Sequence, residues 1–184
     1  YSADEYDKER PESGLSNFAA DVIRVQSEKI FGKKMDLAMT NFGGIRTSLP
    51  KGAIRVYDIY SIFPFNNALV YVEILGSDLL KFFDKLASRN NPEALSGVKL
   101  VVEDRAIKEF LIGGKRIDKN RVYNFATIDF LLEGGDGIQL IDIAQTIHRS
   151  ETYLRDAVIN HIKEQANGSE PLKLEKDSRV IVKR

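Results

Sequence analysis

No cysteine occurs among the 184 residues. Disulfides, Cys-ligated zinc and thiol redox chemistry are therefore excluded. A cysteine-free chain suits an exported bacterial protein and a cytosolic one alike, so the compartment stays open on this ground. Histidine is nearly as scarce, with only His148 and His161. An excess of one charge is also missing, since Lys+Arg and Asp+Glu both number 27. Nucleic-acid binders draw affinity from counterion release by a basic surface, and no basic excess is present. No run of about 18 apolar residues exists, so no segment reads as a membrane span. The sequence starts at Tyr1 rather than Met and shows no signal-peptide pattern. That points to a processed mature chain or a piece of a longer protein.

What is present describes a folded domain. Hydrophobic residues make up 43% of the chain, enough for a core and against disorder. The length suits one domain over 1–184, since domains mostly run ~100–200 residues. Residues 1–12 are densely charged and read as an irregular lead-in. They fit an interdomain linker or the start of a mature exported chain.

Leu15, Phe18, Ala19, Val22 and Ile23 recur at helical spacing, with Ser13 or Ser16 available as N-cap and Gly32 as the stop. Residues 35–40 read as a strand and 55–62 as a short helix. Residues 68–75 read as a Val/Tyr-rich strand. Residues 77–87 read as an amphipathic helix capped by Ser77, burying Leu79, Phe82, Phe83 and Leu86. Segments 98–103 and 106–113 form a hairpin pattern, and 121–128 another strand. Residues 151–165 read as a helix through Leu154, Val158 and Ile162, and 179–183 as a last strand. Helices and strands mix without regular βαβ alternation. The expected fold is therefore α/β (α+β), with mixed β-sheets and packed helices in layers.

Three loops are rich in residues suited to binding, and loops on a rigid scaffold favour that role. In Asn41-Phe42-Gly43-Gly44-Ile45-Arg46, two glycines permit close approach of a ligand and Arg46 supplies a planar cationic fork. A strand-ending turn with a surface arginine explains it equally well. In Phe63-Pro64-Phe65-Asn66-Asn67, the proline fixes the backbone ahead of Phe65. One isolated phenylalanine is more simply a core residue. In Asp129 to Gly137, three glycines shape a tight turn around Asp136. Its carboxylate suits a vicinal diol such as ribose, although Asp and Gly are common in plain polar turns.

Together the three loops resemble the C-terminal, substrate-binding domain of the 5′-nucleotidase family. The matching signatures are N-x-G-G-I-R at Asn41–Arg46, a Pro-Phe pair followed by asparagines at Pro64–Asn67, and F-L-x-x-G-G-D-G at Phe130–Gly137. Residues 12–20 also look like the family's entry to its first helix. Ser16 stands at the usual glycine there, and Asp21 is kept. The resemblance runs from about Glu12 to Gly137.

The resemblance implies the layered fold of that domain and a nucleotide or nucleoside ligand. It implies that Phe65 and Phe130 clamp the base and that Asp136, on the turn with Gly135, holds the ribose hydroxyls. Asn41, Gly43, Gly44 and Arg46 would face the sugar and phosphate, and Asn67 the base edge. The family has a further phosphate-side arginine eight residues ahead of the asparagine matched by Asn17. That position is Glu9 here, so the role falls to its neighbour Arg10 through a shifted loop.

The family's hydrolytic step belongs to an N-terminal metallophosphoesterase domain that uses two divalent metals to position and deprotonate a water. This chain has no D-x-H, G-D-x-x-D or G-N-H-E segment, and no G-x-S-x-G elbow. His148 and His161 show no ligand spacing. No cofactor is expected in this chain, and the metals are expected in a metallophosphoesterase domain or partner, in cis or in trans. Family members work mostly outside the cytoplasm, so a periplasmic, cell-surface or secreted location is expected. A second reading is a non-catalytic interaction module that assembles with a separate metallophosphoesterase without binding nucleoside. Retention of all five of Asn41, Arg46, Phe65, Phe130 and Asp136 argues against such decay. Sugar-nucleotides and thiosulfate-related esters remain open as ligands.

Overall fold

A computed structural model describes residues 2–3, 9–89, 92–165 and 172–183. In chain order they form β1 (Ser2–Ala3), α1 (Gly14–Phe31), β2 (Leu37–Thr40), β3 (Gly52–Ala53), α2 (Val56–Ile62), β4 (Ala68–Leu75), α3 (Gly76–Ser88), β5 (Ala94–Ser96), β6 (Val98–Glu103), β7 (Ala106–Ile112), β8 (Lys115–Arg116), β9 (Val122–Ile128), α4 (Asp129–Leu132), β10 (Ala144–Tyr153), α5 (Leu154–Gln165) and β11 (Val180–Lys183). Single 3₁₀ turns lie at Phe42–Gly44 and Gly135–Gly137. The fold is mixed α/β, as the irregular order of elements predicts.

Five strands form the main sheet in the order β10-β4-β9-β2-β5, and four form a second in the order β11-β6-β7-β8. Within the main sheet β2 runs parallel to β9 and the other neighbours are antiparallel. Both faces of this sheet are covered. Tyr71 of β4 packs edge-on against Phe31 of α1 at 4.8 Å, whereas Phe125 of β9 packs against Phe82 and Phe83 of α3. Tyr71 pairs with Ala126 across the ladder and Val72 with Phe125, so the two sets point to opposite faces by strand alternation. Phe83 also meets Phe110 of β7 at 4.3 Å, which places α3 between the two sheets.

Local sequence explains most helix ends. Ser13 and Ser16 cap α1 reciprocally: the Ser16 N–H donates to Ser13 Oγ at 3.1 Å, and the Ser13 N–H to Ser16 Oγ at 2.9 Å. Helix α3 departs from expectation. Ser77 does not cap it; the helix starts one residue earlier, at Gly76, with no side-chain cap. The N–H groups of Gly76 and Ser77 donate instead to the carbonyls of Arg121 and Lys119. A β-carbon on Gly76 would lie 2.1 Å from the Asp118 carbonyl oxygen, so only glycine allows that turn to cap the helix. Phe82 is half-buried, while Leu79, Phe83 and Leu86 form the buried stripe.

The expected helix at 151–165 begins only at Leu154, because 151–153 complete β10. That strand was not expected, since its ten residues are mostly polar and exposed. It is an edge strand, held by its ladder to β4 and by His148 stacked on Tyr71 at 4.3 Å. The irregular reading of 1–12 needs revision where the chain is described; residues 1 and 4–8 lie outside the described set. Ser2–Ala3 pair with Gly52–Ala53. Glu12 is 1% exposed and belongs to the fold.

Candidate functional site

Strand topology brings the three loops to one end of the main sheet. Leu37 pairs with Phe125 and Ala38 with Ala126 in parallel, so β2 and β9 end side by side. Asn41 follows the first strand and Asp129 the second. Strand β4 runs antiparallel, with Leu69 opposite Ile128, so Phe65–Asn67 precede it at the same edge. Ligands in α/β sheets gather beyond such carboxyl ends.

There Asn41, Gly43, Gly44, Arg46, Phe65, Asn67, Phe130 and Asp136 line a cavity of about 240 Å³. The fold thus assembles eight of the ten residues singled out in the sequence. Phe65 is 46% exposed and Phe130 42% exposed, so Phe65 is not the core residue that its local sequence favours. Their neighbours explain the exposure. Phe63 is buried on one loop, and Leu131 and Leu132 are fully buried in the helical turn α4 on the other. Those anchors turn the intervening rings outward.

Gly135 stands behind the wall rather than in it. A β-carbon there would lie 2.4–2.5 Å from three ring carbons of Phe130, so the ring rests directly on the glycine backbone. Asp136 follows, and its Oδ2 accepts a hydrogen bond from Asn41 Nδ2 at 2.6 Å. Arg46 donates to the Gly43 carbonyl at 3.1 Å and stands 5.8 Å from the Phe65 ring centre.

Arg10 is not part of the cavity wall. Its guanidinium lies 4.5 Å over the Phe42 ring, donates to the Pro92 carbonyl at 2.8 Å, and reaches Glu93 at 3.5 Å. Glu93 in turn accepts the Phe42 N–H at 2.8 Å. Burial pushes the Glu93 carboxyl above its ordinary range, against the opposing pull of that N–H and of Arg10. Arg10 and Glu93 therefore brace the Asn41–Arg46 loop from behind.

Two further supports gave no signal in the sequence. Arg89, just after α3, donates to the carbonyls of Asp136 at 3.0 Å and Gly137 at 2.5 Å. Arg155, on the first turn of α5, donates to the carbonyls of Pro64 at 3.1 Å and Phe65 at 3.2 Å, and to Asn66 Oδ1. Both come from segments far from the loops they hold, so no local motif marks them.

The site offers aromatic faces, a fixed carboxylate and a cationic fork, which is binding chemistry. The histidines lie elsewhere. His148 is on the edge strand and His161 packs edge-on against Phe18 at 5.8 Å. Among the described residues no three His, Asp or Glu side chains gather as metal ligands.

The sequence profile of the 5′-nucleotidase C-terminal domain matches residues 2–143. The chain belongs to that family. The UshA protein of Yersinia enterocolitica is 30% identical over 142 residues, which are 75% of this chain and 25% of that protein. A cell wall protein of Listeria monocytogenes, Lmo0130, is 28% identical across 94% of this chain and 24% of its own length. This 5′-nucleotidase C-terminal domain thus spans about a quarter of the curated relatives it matches. Its fold is that of a solved 5′-nucleotidase precursor from Thermus thermophilus, with a TM-score of 0.81 over 94% of this chain and 36% of that one, at 22% identity.

Proposed function

We propose that the cavity recognises a nucleoside or nucleotide. Its base lies between Phe65 and Phe130, its ribose hydroxyls bond Asp136, and its phosphate side faces Asn41 and Arg46. The observation that carries this reading is the pair of half-exposed phenylalanines lining one small cavity with a fixed carboxylate. Two half-exposed rings on one cavity offer faces on which a planar base can stack. Base–aromatic stacking contributes roughly 1–3 kcal/mol per base.

Hydrolysis is assigned to a metallophosphoesterase, joined to this domain or meeting it as a partner, which supplies the two divalent metals and their activated water. The quarter-length match to the relatives supports this division of labour. No helix among the described residues is long and apolar enough to cross a membrane. A location outside the cytoplasm is favoured by the relative named as a cell wall protein.

Calorimetric titration with adenosine and AMP tests the reading. Phe65→Ala and Phe130→Ala should each weaken binding by about tenfold, the lower end of one lost stacking face. Equal affinity of both variants and the wild-type chain would sink the aromatic clamp.

A further inference from the structure

Two arginines that do not line the cavity hold its two halves separately. Arg89 binds the turn that carries Asp136. Besides the Asn41 bond to the Asp136 carboxylate, Arg89 holds the backbone of that turn from the other side. The turn's internal backbone bonds are Gly137 N–H to Gly134 O and Ile138 N–H to Gly135 O. Asp136 itself sits at φ 53°, a left-handed conformation unfavourable for a residue with a β-carbon. Arg89 spans two successive carbonyls at that point with its planar fork, which suits it to fixing the direction of the carboxylate. On the far side Arg155 spans the Pro64 and Phe65 carbonyls and Asn66, on the loop that displays the Phe65 ring. Arg155 is itself fixed between the rings of Tyr60, 4.8 Å away, and Tyr153, 5.2 Å away.

We propose that Arg89 and Arg155 are positioning residues with separate tasks: Arg89 sets recognition of the sugar through Asp136, and Arg155 sets stacking of the base through Phe65. This rests on the nucleoside reading of the cavity. Placement errors of about 1 Å at a recognition group weaken its contribution severely, so loss of either arginine should be felt at the group it holds and not at the other.

Two ligands separate the tasks. Adenosine carries the ribose diol, and 2′,3′-dideoxyadenosine lacks it while keeping the base. The wild-type chain should bind adenosine about tenfold more tightly, as expected for a carboxylate paired to a diol. Arg89→Ala should lose that preference and leave dideoxyadenosine affinity unchanged. Arg155→Ala should weaken both ligands about equally, by about tenfold, and keep the preference. Arg89→Lys and Arg155→Lys keep a cationic donor but lose the planar fork and should fall between, with far-UV circular dichroism reporting that each variant folds. Amide exchange at Gly137 and Ile138, read without ligand, should quicken in Arg89→Ala only. If the wild-type chain shows no preference for adenosine, the ribose reading fails and this proposal with it. If the wild-type preference is clear but survives Arg89→Ala, or vanishes in Arg155→Ala, the division between the arginines is wrong while the cavity reading stands.

Discussion

Asn41 and Asp136 meet across the cavity: Asn41 Nδ2 donates to Asp136 Oδ2 at 2.6 Å, joining two loops 95 residues apart in the chain. The bond fixes the carboxylate while leaving acceptor capacity, since an ionised carboxylate has about four lone-pair sites. The other end of the amide, Asn41 Oδ1, is a buried acceptor with no hydrogen-bond donor among the described residues.

Asn41→Asp tests this pairing with almost no change in shape. It places one carboxylate against another at hydrogen-bond distance, so the two cannot both stay ionised without repulsion. The expected result is adenosine affinity lower by about tenfold at pH 7, partly restored as the pH falls toward 5 and the pair takes up a proton. Calorimetry at the two pH values reads it. Equal weakening at both would mean that the amide contributes through shape alone.

Gly135→Ala addresses the Phe130 wall. The new methyl group would overlap three ring carbons, and the half-exposed ring is freer to move than the turn beneath it. Phe130 should therefore swing away from its place. Adenosine binding should weaken by about tenfold, while thermal stability should fall by no more than about 1 kcal/mol, because no core contact is broken. A fully stable variant with unchanged affinity would show that the position of the ring does not matter for binding.

Glu12 gives the opposite pattern. Its buried carboxylate accepts Asn17 Nδ2 at 2.8 Å and the N–H groups of Asp177 at 2.9 Å, Ser178 at 3.0 Å and Val180 at 3.1 Å. It ties the start of α1 to the start of β11. Glu12→Ala leaves the buried Val180 N–H unpaired and releases the part-buried N–H groups of Asp177 and Ser178, while Asn17 Nδ2 keeps the Glu175 carbonyl, so stability in urea titration should fall by about 1–3 kcal/mol. The cavity lies elsewhere, so adenosine affinity at low temperature should hold.

Much of this was legible from residue patterns. The α1 boundary follows from Ser13, Ser16 and Gly32, and the β6–β7 hairpin from two short apolar runs, because those signals are local. The strand β10 was hidden, since an edge strand with a solvated face needs few apolar residues and AQTIHRSETY supplies few. At the site, Asn41, Phe65 and Asp136 could be named because the three loops together resemble the family's signatures, although Phe65 alone reads as a core residue. Arg89, Glu93 and Arg155 could not, because they act on carbonyls or an N–H of segments distant in the chain, and any exposed arginine looks alike in sequence. Arg10 shows the converse. Its position suggested a phosphate contact, but the fold turns it toward Phe42, Pro92 and Glu93.

Glu93 makes that brace sensitive to pH in a definite direction. Burial raises its carboxyl above the ordinary value of 4.5, the nearby Asp136 charge adds to the rise, and the Phe42 N–H and Arg10 only partly oppose it. The folded chain therefore holds this proton more tightly than the unfolded chain does. Stability from Glu93 is fully present below the ordinary carboxyl value and declines as the pH rises from there through the raised folded value. Glu93→Gln keeps an acceptor for the Phe42 N–H and cannot ionise. Its melting temperature relative to wild type should rise as the pH climbs above the ordinary carboxyl value and then level off once Glu93 is ionised in the folded chain. A difference that shrinks as the pH climbs would mean the Arg10 contact at 3.5 Å outweighs the cost of burial.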